Sequence, residues 1–363
     1  MVKFIASSFT IVVLSLAVVK AQGPIVIANY PTINEVPPTN TPQVQAWLKE
    51  IDLTGAPAIP TRAGAPPPCA PSPLADECNW TCQNCPADDL TACSAPNTWG
   101  LTYDDGPSQF TPALLDFLKT NKVSASFFLI GSNVIQYPDI VKREVAEGHH
   151  LASHTWSHHA LTSLTNEQIV AEMKWTEKAV MEATGLRLKY MRPPYGDINN
   201  RVRFVLKKLG YIPVDWTGDQ FDTNDWRQPG MPEATVISTF TKSLDTYVNS
   251  TKAKGFYCLE HDVNQADVTV AQKLIPLGIA RKINIASVAG CEKDAQPYQL
   301  GGTAPMPSLP GTKPTGGAGS PSGANPSGPT VINGGKTSGS VGQVAAAGFV
   351  TAAVAAVAGA IFA

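Results

Sequence analysis

Charged residues are scarce in this sequence, and neither sign is in excess. Lysine and arginine number 27 against 29 aspartates and glutamates, for a formal net charge of −2, and only 15% of the residues are charged. No polybasic stripe occurs along the chain, so the sequence has no basic field that would attract nucleic acid. We expect no nucleic-acid partner, and a neutral substrate fits this charge balance better than a polyanion.

Large apolar side chains are almost absent from residues 302–343, which consist mainly of Gly, Pro, Ser and Thr. Such a segment cannot bury enough surface to offset the entropy lost on ordering the chain. We therefore predict that residues 292–343 form a disordered, Gly/Pro/Ser-rich C-terminal stalk.

The last segment, residues 344–363, is apolar and uncharged, and small residues precede it at Asn333, Gly334 and Gly335. This layout is typical of a glycosylphosphatidylinositol (GPI) anchor signal, whose tail is exchanged for the lipid at a small residue, here Asn333. A retained C-terminal transmembrane helix is the alternative. Either arrangement predicts a protein held at the cell membrane or cell wall.

Residues 1–21 have the pattern of a signal peptide, with a positive charge at Lys3, an apolar run to Val19 and a small residue at Ala21. An uncleaved membrane anchor is the alternative, although the run is short for a membrane span. Export would place the seven cysteines in an oxidising compartment, where they become disulfide candidates. The acceptor triplets that begin at Asn79 and Asn249 predict glycosylation.

Residues 22–92 are rich in Pro and Cys and show little periodicity. They predict a loop-rich N-terminal extension, stapled by disulfides among Cys69, Cys78, Cys82 and Cys85. A zinc site at these cysteines is the alternative, but export favours oxidation.

Between Asn97 and Cys291, short β-branched and aromatic runs alternate with amphipathic stretches. Two helices are predicted at Thr111–Lys119, with Thr111 as the cap, and at Asn166–Thr184. This alternation predicts a parallel sheet closed into a barrel, with reactive side chains at the carboxyl ends of its strands. The predicted strands are residues 98–103, 125–130, 150–153, 188–191, 211–214, 256–259 and 283–287.

Two adjacent carboxylates, Asp104 and Asp105, end the first predicted strand before the turn residues Gly106 and Pro107. Adjacent strand residues point to opposite faces, so both acids can serve one site only where the strand ends. A polar turn with helix-capping acids is the alternative interpretation.

His154 and His158 are four residues apart, so a helical turn or a tight loop can aim both imidazoles at one point. Two imidazoles and a carboxylate form a common open metal site, although an isolated pair is often incidental. All six histidines lie between His149 and His159 or at His261, and this clustering favours a site.

Three further motifs each follow a predicted strand or lie in a loop. Arg192 precedes two prolines, an acidic stretch runs from Asp222 to Trp226, and His261 follows the apolar run that ends at Leu259. Taken singly, each is more typical of a surface loop or a structural histidine than of a functional site.

In this order, the five motifs closely resemble those of the NodB-homology polysaccharide deacetylases, carbohydrate esterase family four. The resemblance covers roughly residues 93–291 and implies a catalytic domain with a distorted (β/α) barrel fold. The flanking signal peptide, Cys-bearing extension, stalk and anchor tail make the chain similar to the fungal chitin deacetylases. The resemblance implies metal-dependent removal of acetyl groups from the N-acetylglucosamine units of chitin.

The resemblance also implies a role for each motif residue. Asp105, His154 and His158 would bind one divalent metal ion, zinc or cobalt, that activates water. Asp104 would be the general base, held ionised and oriented by Arg192.

On the leaving-group side, His261 would be the general acid. Asp225 would hydrogen-bond His261 and raise its pKa, with Asp222 as the other candidate. The remaining substrate-binding residues would be Tyr195, through its backbone N–H, Trp226 and Leu259.

Two residues depart from the family pattern or fit it less easily. Tyr103 stands where Phe usually precedes the acidic pair, and it points away from the site if the strand alternates. Glu260 lies beside the general acid, where its charge would either perturb His261 or face solvent.

Two other functions remain open. The chain could deacetylate another acetylated glycan, such as xylan or peptidoglycan, or it could be a non-catalytic cell-wall binding protein. We expect a monomeric enzyme that acts on chitin or chitin oligomers and is anchored to the membrane through GPI.

The ends of the catalytic domain carry a predicted disulfide. Cys93 lies just before the first predicted strand and Cys291 just after the last, and a closed barrel brings these strands side by side. We predict that Cys93 and Cys291 are bonded, and that Cys258, within an apolar run, is the unpaired thiol.

Overall fold

The computed structural model describes residues 24–64, residue 69 and residues 77–300. The predicted signal peptide, the predicted stalk from residue 301 onwards, and the anchor tail with Asn333 lie outside the described residues. Within the described part of the chain, no helix is long and apolar enough to cross a membrane.

Short strands alternate with helices through most of this region, and each predicted strand segment contains an observed strand. The strands are β1 (Thr98–Gly100), β2 (Thr102–Asp104), β3 (Ser126–Leu129), β4 (His150–Ser153), β5 (Arg187–Leu188), β6 (Tyr190–Met191), β7 (Ile212–Pro213), β8 (Phe256–Tyr257), β9 (Glu260–His261), β10 (Asn284–Ala286) and β11 (Tyr298–Leu300). The helices are α1 (Pro42–Lys49), α2 (Trp80–Gln83), α3 (Thr111–Asn121), α4 (Gly131–Val134), α5 (Pro138–Ala146), α6 (Asn166–Thr184), α7 (Asn200–Lys208), α8 (Glu233–Val248), α9 (Gln265–Ala280) and α10 (Val288–Cys291).

Helix α6 shows how local sequence sets an element. Thr165 caps its start, and Gln168 bonds back to the cap to complete a capping box. Gly185 ends it in the left-handed conformation that glycine adopts without steric cost. The observed bounds are those predicted from the sequence.

The start of α3 differs from the prediction that Thr111 caps it. Phe110 occupies the cap position without a side-chain bond, and Thr111 is the first helical residue. The Thr111 hydroxyl instead donates to Asp262 Oδ2 at 2.5 Å, a contact 151 residues away in sequence. The Thr111 hydroxyl therefore bonds to a distant residue, Asp262, instead of capping the helix.

Parallel strands form the centre of the fold. One six-stranded sheet has the order β7-β6-β4-β3-β2-β9, and a second has the order β10-β1-β8. Leu101 alone separates β1 from β2, and Cys258 and Leu259 separate β8 from β9, so two short stretches of chain connect the sheets. The first strand β1 pairs in parallel with the last barrel strand β10.

Closure between β7 and β8 is made by a loop. Thr217 N–H donates to Tyr257 O at 3.1 Å, and Thr223 N–H donates to Leu259 O at 3.1 Å. The predicted distorted (β/α) barrel is confirmed, and this irregular seam is its distortion.

The two faces of the strands pack into separate clusters. The larger cluster lies between the strands and the helices and includes Trp99, Phe127 and Leu151. The smaller one includes Phe128, Ala152 and residues of neighbouring strands, and it occupies the opposite face, because successive strand residues alternate. The barrel interior is therefore packed below the strand ends.

The N-terminal extension packs more closely than its loop-rich sequence predicts. It contains α1 and α2, and its Val44 and Trp80 belong to the main hydrophobic cluster. At the other end, β11 pairs antiparallel with β5, so residues 292–300 are folded and do not belong to the stalk predicted to begin there.

Three disulfides join the cysteines of the described residues. Cys93 is bonded to Cys291, and Cys258 is free and buried, as the sequence analysis predicts. In the extension, the bonds left open by the sequence are Cys69–Cys82 and Cys78–Cys85.

The Cys93–Cys291 bond should be a large contributor to stability, because it closes a loop with a sequence separation of 198. In the chain-entropy model, removing it by Cys93→Ala/Cys291→Ala should lower the free energy of unfolding by about 5 kcal/mol. Guanidinium unfolding measures this change. Cys258→Ala, which keeps all three disulfides, is the control and should lose far less; equal losses in the two variants would contradict the assignment.

Candidate active site

The motif residues meet at one edge of the parallel sheet. Asp104 ends β2, His154 follows β4, Arg192 follows β6 and His261 ends β9. Parallel strands present their carboxyl ends at the same edge, so all four side chains reach one place. Asp104, His154 and His261 border a cavity of about 320 Å³ there, and Arg192 lies buried behind Asp104. The cavity is lined by Asp104, Asp105, His154, His158, Pro193, Tyr195, Trp216, Asp222, Trp226, Leu259 and His261.

The adjacent acids share this cavity because the chain leaves the strand between them. Asp105 has φ of +72°, outside the range of a strand, so its carboxylate does not point to the opposite face. Gly106 follows, and a Cβ there would lie 2.3 Å from Asp262 Oδ1. Only glycine leaves room for the Asp262 carboxyl that packs beneath this turn.

Asp105, His154 and His158 form a cluster that suits a divalent cation. Their ligand atoms all lie within 4.8 Å of one another. Asp105 Oδ1 is 3.3 Å from His154 Nε2 and 3.1 Å from His158 Nε2. Asp105 Oδ1 is also buried without a hydrogen-bond partner among the described residues, as expected of an atom reserved for a metal.

The protonation of the three groups agrees with such a site. His154 Nδ1 donates to Arg192 O at 2.8 Å, so in the neutral ring Nε2 carries the lone pair that faces Asp105. Burial lowers the pKa of His158 to about 4, which keeps it neutral at physiological pH. Burial opposes ionisation of Asp105, but the adjacent imidazoles of His154 and His158 outweigh it and hold the pKa of Asp105 well below its usual value.

Glu172, in α6, fixes the loop that carries both histidines and was not identified from the sequence. Its carboxylate accepts from the backbone N–H groups of Trp156 and Ser157 at 2.7 and 2.9 Å, and from the Ser157 hydroxyl at 2.5 Å. Burial raises its pKa to about 7. The sequence does carry one sign of this role: Glu172 lies on the apolar side of an amphipathic helix, close to Val170 and Met173, where a charged residue needs a buried partner.

The same loop is braced by the N-terminal extension. Trp156 stacks on Tyr30 with ring centroids 5.8 Å apart, and its indole Nε1 donates to Thr32 O at 3.1 Å. The extension therefore takes part in positioning His154 and His158.

Asp104 and Arg192 form a buried ion pair beside this cluster. Arg192 is fully buried, and its Nη1 donates to Asp104 Oδ1 at 2.9 Å and to Thr102 Oγ1 at 2.8 Å. Its Nε donates to Val214 O, and its guanidinium lies 4.3 Å from the centroid of the Phe128 ring. These contacts leave Asp104 Oδ2 on the side of His154 Nε2, 3.9 Å away.

Asp215 is a second acid near Arg192, and it is also fully buried. Burial, with the nearby charge of Asp89, raises the pKa of Asp215 well above its usual value. Arg192 forms its hydrogen-bonded ion pair with Asp104.

His261 is held by Asp225 through two hydrogen bonds. Asp225 Oδ1 accepts from His261 Nδ1 at 2.7 Å, and Oδ2 accepts from the His261 backbone N–H at 2.8 Å. Burial opposes protonation of His261, but the charge of Asp225 outweighs it and raises the pKa well above its usual value. Asp222, the other candidate, instead accepts from Asn224 N–H at 2.8 Å.

Tyr195 lies in a tight turn after Arg192 with φ of +60°, which is rare outside glycine. The hydroxyl of Thr81, in α2, is 3.0 Å from Tyr195 O and 2.8 Å from Gly196 O, to which it donates. The Tyr195 ring packs edge-on against His158 at 4.6 Å. Trp226, half exposed, and Leu259, buried, complete the cavity wall.

Other predicted positions have different outcomes. Asn79 is 1% exposed and caps α2 by accepting from Cys82 N–H, so its burial argues against the predicted glycan, whereas Asn249 is exposed.

Glu260 is fully buried and pairs with Tyr103 in the strand register, so the alternative that it faces solvent is wrong. Burial raises the pKa of Glu260 to about 8.

Comparison with known proteins places the chain in a family. The family model for polysaccharide deacetylases matches residues 91–214. Chitin deacetylase 1 of Cryptococcus neoformans var. grubii is 41% identical over 255 residues, which are 68% of this chain and 54% of that protein. The chitin deacetylase of Amylomyces rouxii is 37% identical over 75% of this chain and 68% of its own length.

The fold has a solved counterpart. The chitin deacetylase of Colletotrichum lindemuthianum aligns with a TM-score of 0.53 and 33% identity, covering 58% of this chain and 95% of that structure. The chain spans about half the length of the Cryptococcus relative.

Metal binding should require all three cluster residues. Asp105→Ala, His154→Ala and His158→Ala each remove one of three protein ligands, and each should abolish stoichiometric metal in the purified protein, as measured by elemental analysis. His159→Ala is the matched control, because His159 instead bonds to Ser157 at 2.8 Å. Full occupancy in all three variants would contradict the assignment.

Proposed function

The chain belongs to the polysaccharide deacetylase family, and from this premise we propose that it hydrolyses the N-acetyl groups of N-acetylglucosamine units in chitin, giving chitosan and acetate. The observation that carries the proposal is the meeting of three groups at one cavity: a buried Asp104–Arg192 pair, an Asp/His/His cluster, and an Asp225-bonded His261. Amide hydrolysis needs an activated water, a stabilised oxyanion and a proton for the departing amine. Each group fits one of these needs.

Members of the family use a divalent metal, and Asp105, His154 and His158 have the donor atoms for one. Two imidazoles and a carboxylate suit zinc or cobalt. When bound, such an ion would lower the pKa of a coordinated water and polarise the acetyl carbonyl.

Asp104 is the proposed general base. Arg192 occupies its Oδ1, so Oδ2, which faces the cluster, is the oxygen available to take the proton of the attacking water. The new C–O bond forms as that proton moves to Asp104. The hydrogen bond from the buried guanidinium holds the carboxylate in one orientation.

His261 is the proposed general acid. Asp225 keeps it protonated, and its Nε2 lies free of that bond at the cavity wall. It donates its proton to the nitrogen of the leaving amine as the C–N bond breaks. The Tyr195 N–H would stabilise the oxyanion, while Leu259 and Trp226 would receive the acetyl methyl.

Acetate release from chitin oligomers by the purified ectodomain tests the proposal. The wild type should release acetate, a chelator should stop it, and Asp104→Asn should keep the metal yet lose at least about 100-fold in rate. If the enzyme releases acetate from xylan or peptidoglycan but not from chitin, its substrate is that other glycan and the chitin proposal is wrong. A metal-loaded protein inactive on all three polymers would favour the non-catalytic wall-binding alternative.

The pH profile should report the Asp225–His261 pair. The charge of Asp225 favours protonated His261, so Asp225→Asn should lower the pKa of His261 by about one to two units. Because the proposed acid must be protonated, the alkaline limb of kcat/KM should move to lower pH by the same amount. Asp222→Asn, which removes an acid not bonded to His261, is the control; equal shifts in both variants would contradict the pairing.

Three disulfides fit an extracellular protein. We further propose that the chain enters the secretory pathway through residues 1–21 and is GPI-anchored near Asn333, with residues 344–363 removed. Glycosylation at the exposed Asn249 fits this route.

A phospholipase specific for inositol lipids should release the cell-bound protein in active form, and deletion of residues 344–363 should send active enzyme into the medium. The same treatment of a version carrying an unrelated transmembrane helix in place of residues 344–363 is the control and should release nothing. Retention of the natural protein after treatment would support a retained helix instead.

A further inference from the structure

Part of the N-terminal extension, residues 77–81, runs alongside the chain that follows Arg192 and is bonded to it at three points. The bonds join Asn200 N–H to Glu77 O at 2.9 Å, Trp80 N–H to Ile198 O at 3.2 Å, and the Thr81 hydroxyl to Gly196 O at 2.8 Å. Of the three, the bond from Thr81 is made by a side chain, and it lies next to Tyr195, which lines the catalytic cavity. Thr81 therefore ends this contact at the edge of the active site.

Tyr195 and Gly196 form a turn that the chain does not favour by itself. Tyr195 has φ of +60° and Gly196 has φ of +64°, so two successive residues lie in the left-handed region. For a residue other than glycine, this conformation is strained and persists only where its surroundings fix it. Thr81 supplies such a contact, because its hydroxyl lies 3.0 Å from Tyr195 O and donates to Gly196 O.

We propose that Thr81 is a positioning residue for the deacetylation, which keeps the Tyr195 N–H aimed at the oxyanion that forms on the acetyl group. The inference rests on the proposed function, in which that N–H stabilises the oxyanion. Thr81 acts through the backbone: its hydroxyl holds the carbonyls of Tyr195 and Gly196, so the turn cannot rotate without breaking this contact. An oxyanion donor is effective only when it is fixed in place before the reaction.

The packing around Gly196 leaves the turn little room to move. A Cβ at this position would lie 3.0 Å from Thr81 Oγ1, 3.0 Å from Trp80 Cδ1 and 2.9 Å from Trp216 Cη2. Gly196 is thus in close contact with the extension and with a residue that lines the cavity. A shift of the Thr81 side chain would be transmitted directly to the turn.

Thr81 is itself held in place by its own short helix. Asn79 caps α2 by accepting from Cys82 N–H at 2.8 Å, and Cys78 and Cys82, which flank Thr81 in sequence, are each in a disulfide. Little conformational freedom remains in this segment. Its hydroxyl can therefore impose one orientation on the turn without a further entropic cost during the reaction.

This role also accounts for the triplet of residues 79–81, which the sequence predicts as a glycosylation acceptor. Asn79 is 1% exposed and its side chain is bonded within α2, while the Thr81 hydroxyl is bonded to the turn. Both polar side chains of the triplet thus have partners within the protein. The threonine has a use here that needs no glycan.

Two substitutions of Thr81 test the proposal with chitopentaose as the substrate. Thr81→Val removes the hydroxyl and keeps the shape of the side chain, so it should lower kcat about tenfold and leave KM within about twofold, because the oxyanion bond is strongest in the transition state. Thr81→Ser keeps the hydroxyl and should retain kcat near the wild-type value. Thr120→Val is the matched control, since the exposed Thr120 hydroxyl also donates to a backbone carbonyl, Asp116 O at 2.8 Å, but lies in α3.

Further measurements on Thr81→Val separate positioning from damage to the rest of the site. Its metal content should equal that of the wild type by elemental analysis, and both limbs of its pH profile should stay in place, because Asp104 and His261 keep their partners. Peptide mass mapping of the wild type should find Asn79 without a glycan, so that the lost activity cannot come from a lost glycan.

An unchanged kcat in Thr81→Val, an equal loss in Thr120→Val, or no recovery in Thr81→Ser would overturn the role of Thr81. Loss of metal from Thr81→Val, displaced pH limbs or a glycan on Asn79 would overturn it as well. In each of these cases, acetate release from chitopentaose by the wild type would still uphold the proposed function. A wild type that releases no acetate from chitopentaose would overturn the proposed function and the role of Thr81 together.

Discussion

The buried ion pair between Asp104 and Arg192 is the interaction on which the arrangement of the site depends. Arg192 reaches Thr102 and Val214 across the barrel interior, and its own carbonyl accepts the Nδ1 proton of His154. One residue thus orients the proposed base and sets the tautomer of a proposed metal ligand. Removing one partner of such a pair strands the other charge in the interior, at a cost of about 3 to 5 kcal/mol. The charges of Asp104 and Arg192 can therefore be buried in the packed interior only as a pair.

Around this pair, the loops hold their side chains in backbone conformations that the sequence does not favour locally. Asp105, Thr155, His158, Tyr195 and Asn224 all have positive φ, and none is glycine. Such residues cost on the order of 1–3 kcal/mol each and persist only where their surroundings fix them. The fixing groups are visible: Glu172 holds the histidine loop, Thr81 holds the turn at Tyr195, and Asp222 bonds to Asn224 N–H.

These fixing groups mark the limit of what the sequence could predict. The strand ends and the motif side chains were predictable because apolar runs and turns are local patterns. Thr81 was not, because it acts on a residue 114 positions away. For Glu172 the sequence shows only an acid on the apolar side of α6, and not the loop 15 residues away that it holds. The extension was read as loops for the same reason: Val44 and Tyr30 show no periodicity, yet both pack onto the barrel and its helices. The position of Glu260 stayed open between a buried site beside His261 and a solvent-facing one, because local sequence does not reveal which face of a two-residue strand is covered.

Two loops of the site are therefore completed by a segment that lies outside the barrel in sequence. Tyr30 and Thr32 brace the loop of His154 and His158, while Thr81 braces the turn at Tyr195. Thr81 lies between Cys78 and Cys82, and each of these is in a disulfide. Both bonds cross-link the segment that carries Thr81, and such bonds form and persist in oxidising compartments. The barrel supplies the reactive groups, and the disulfide-linked extension braces the turn at Tyr195 beside them.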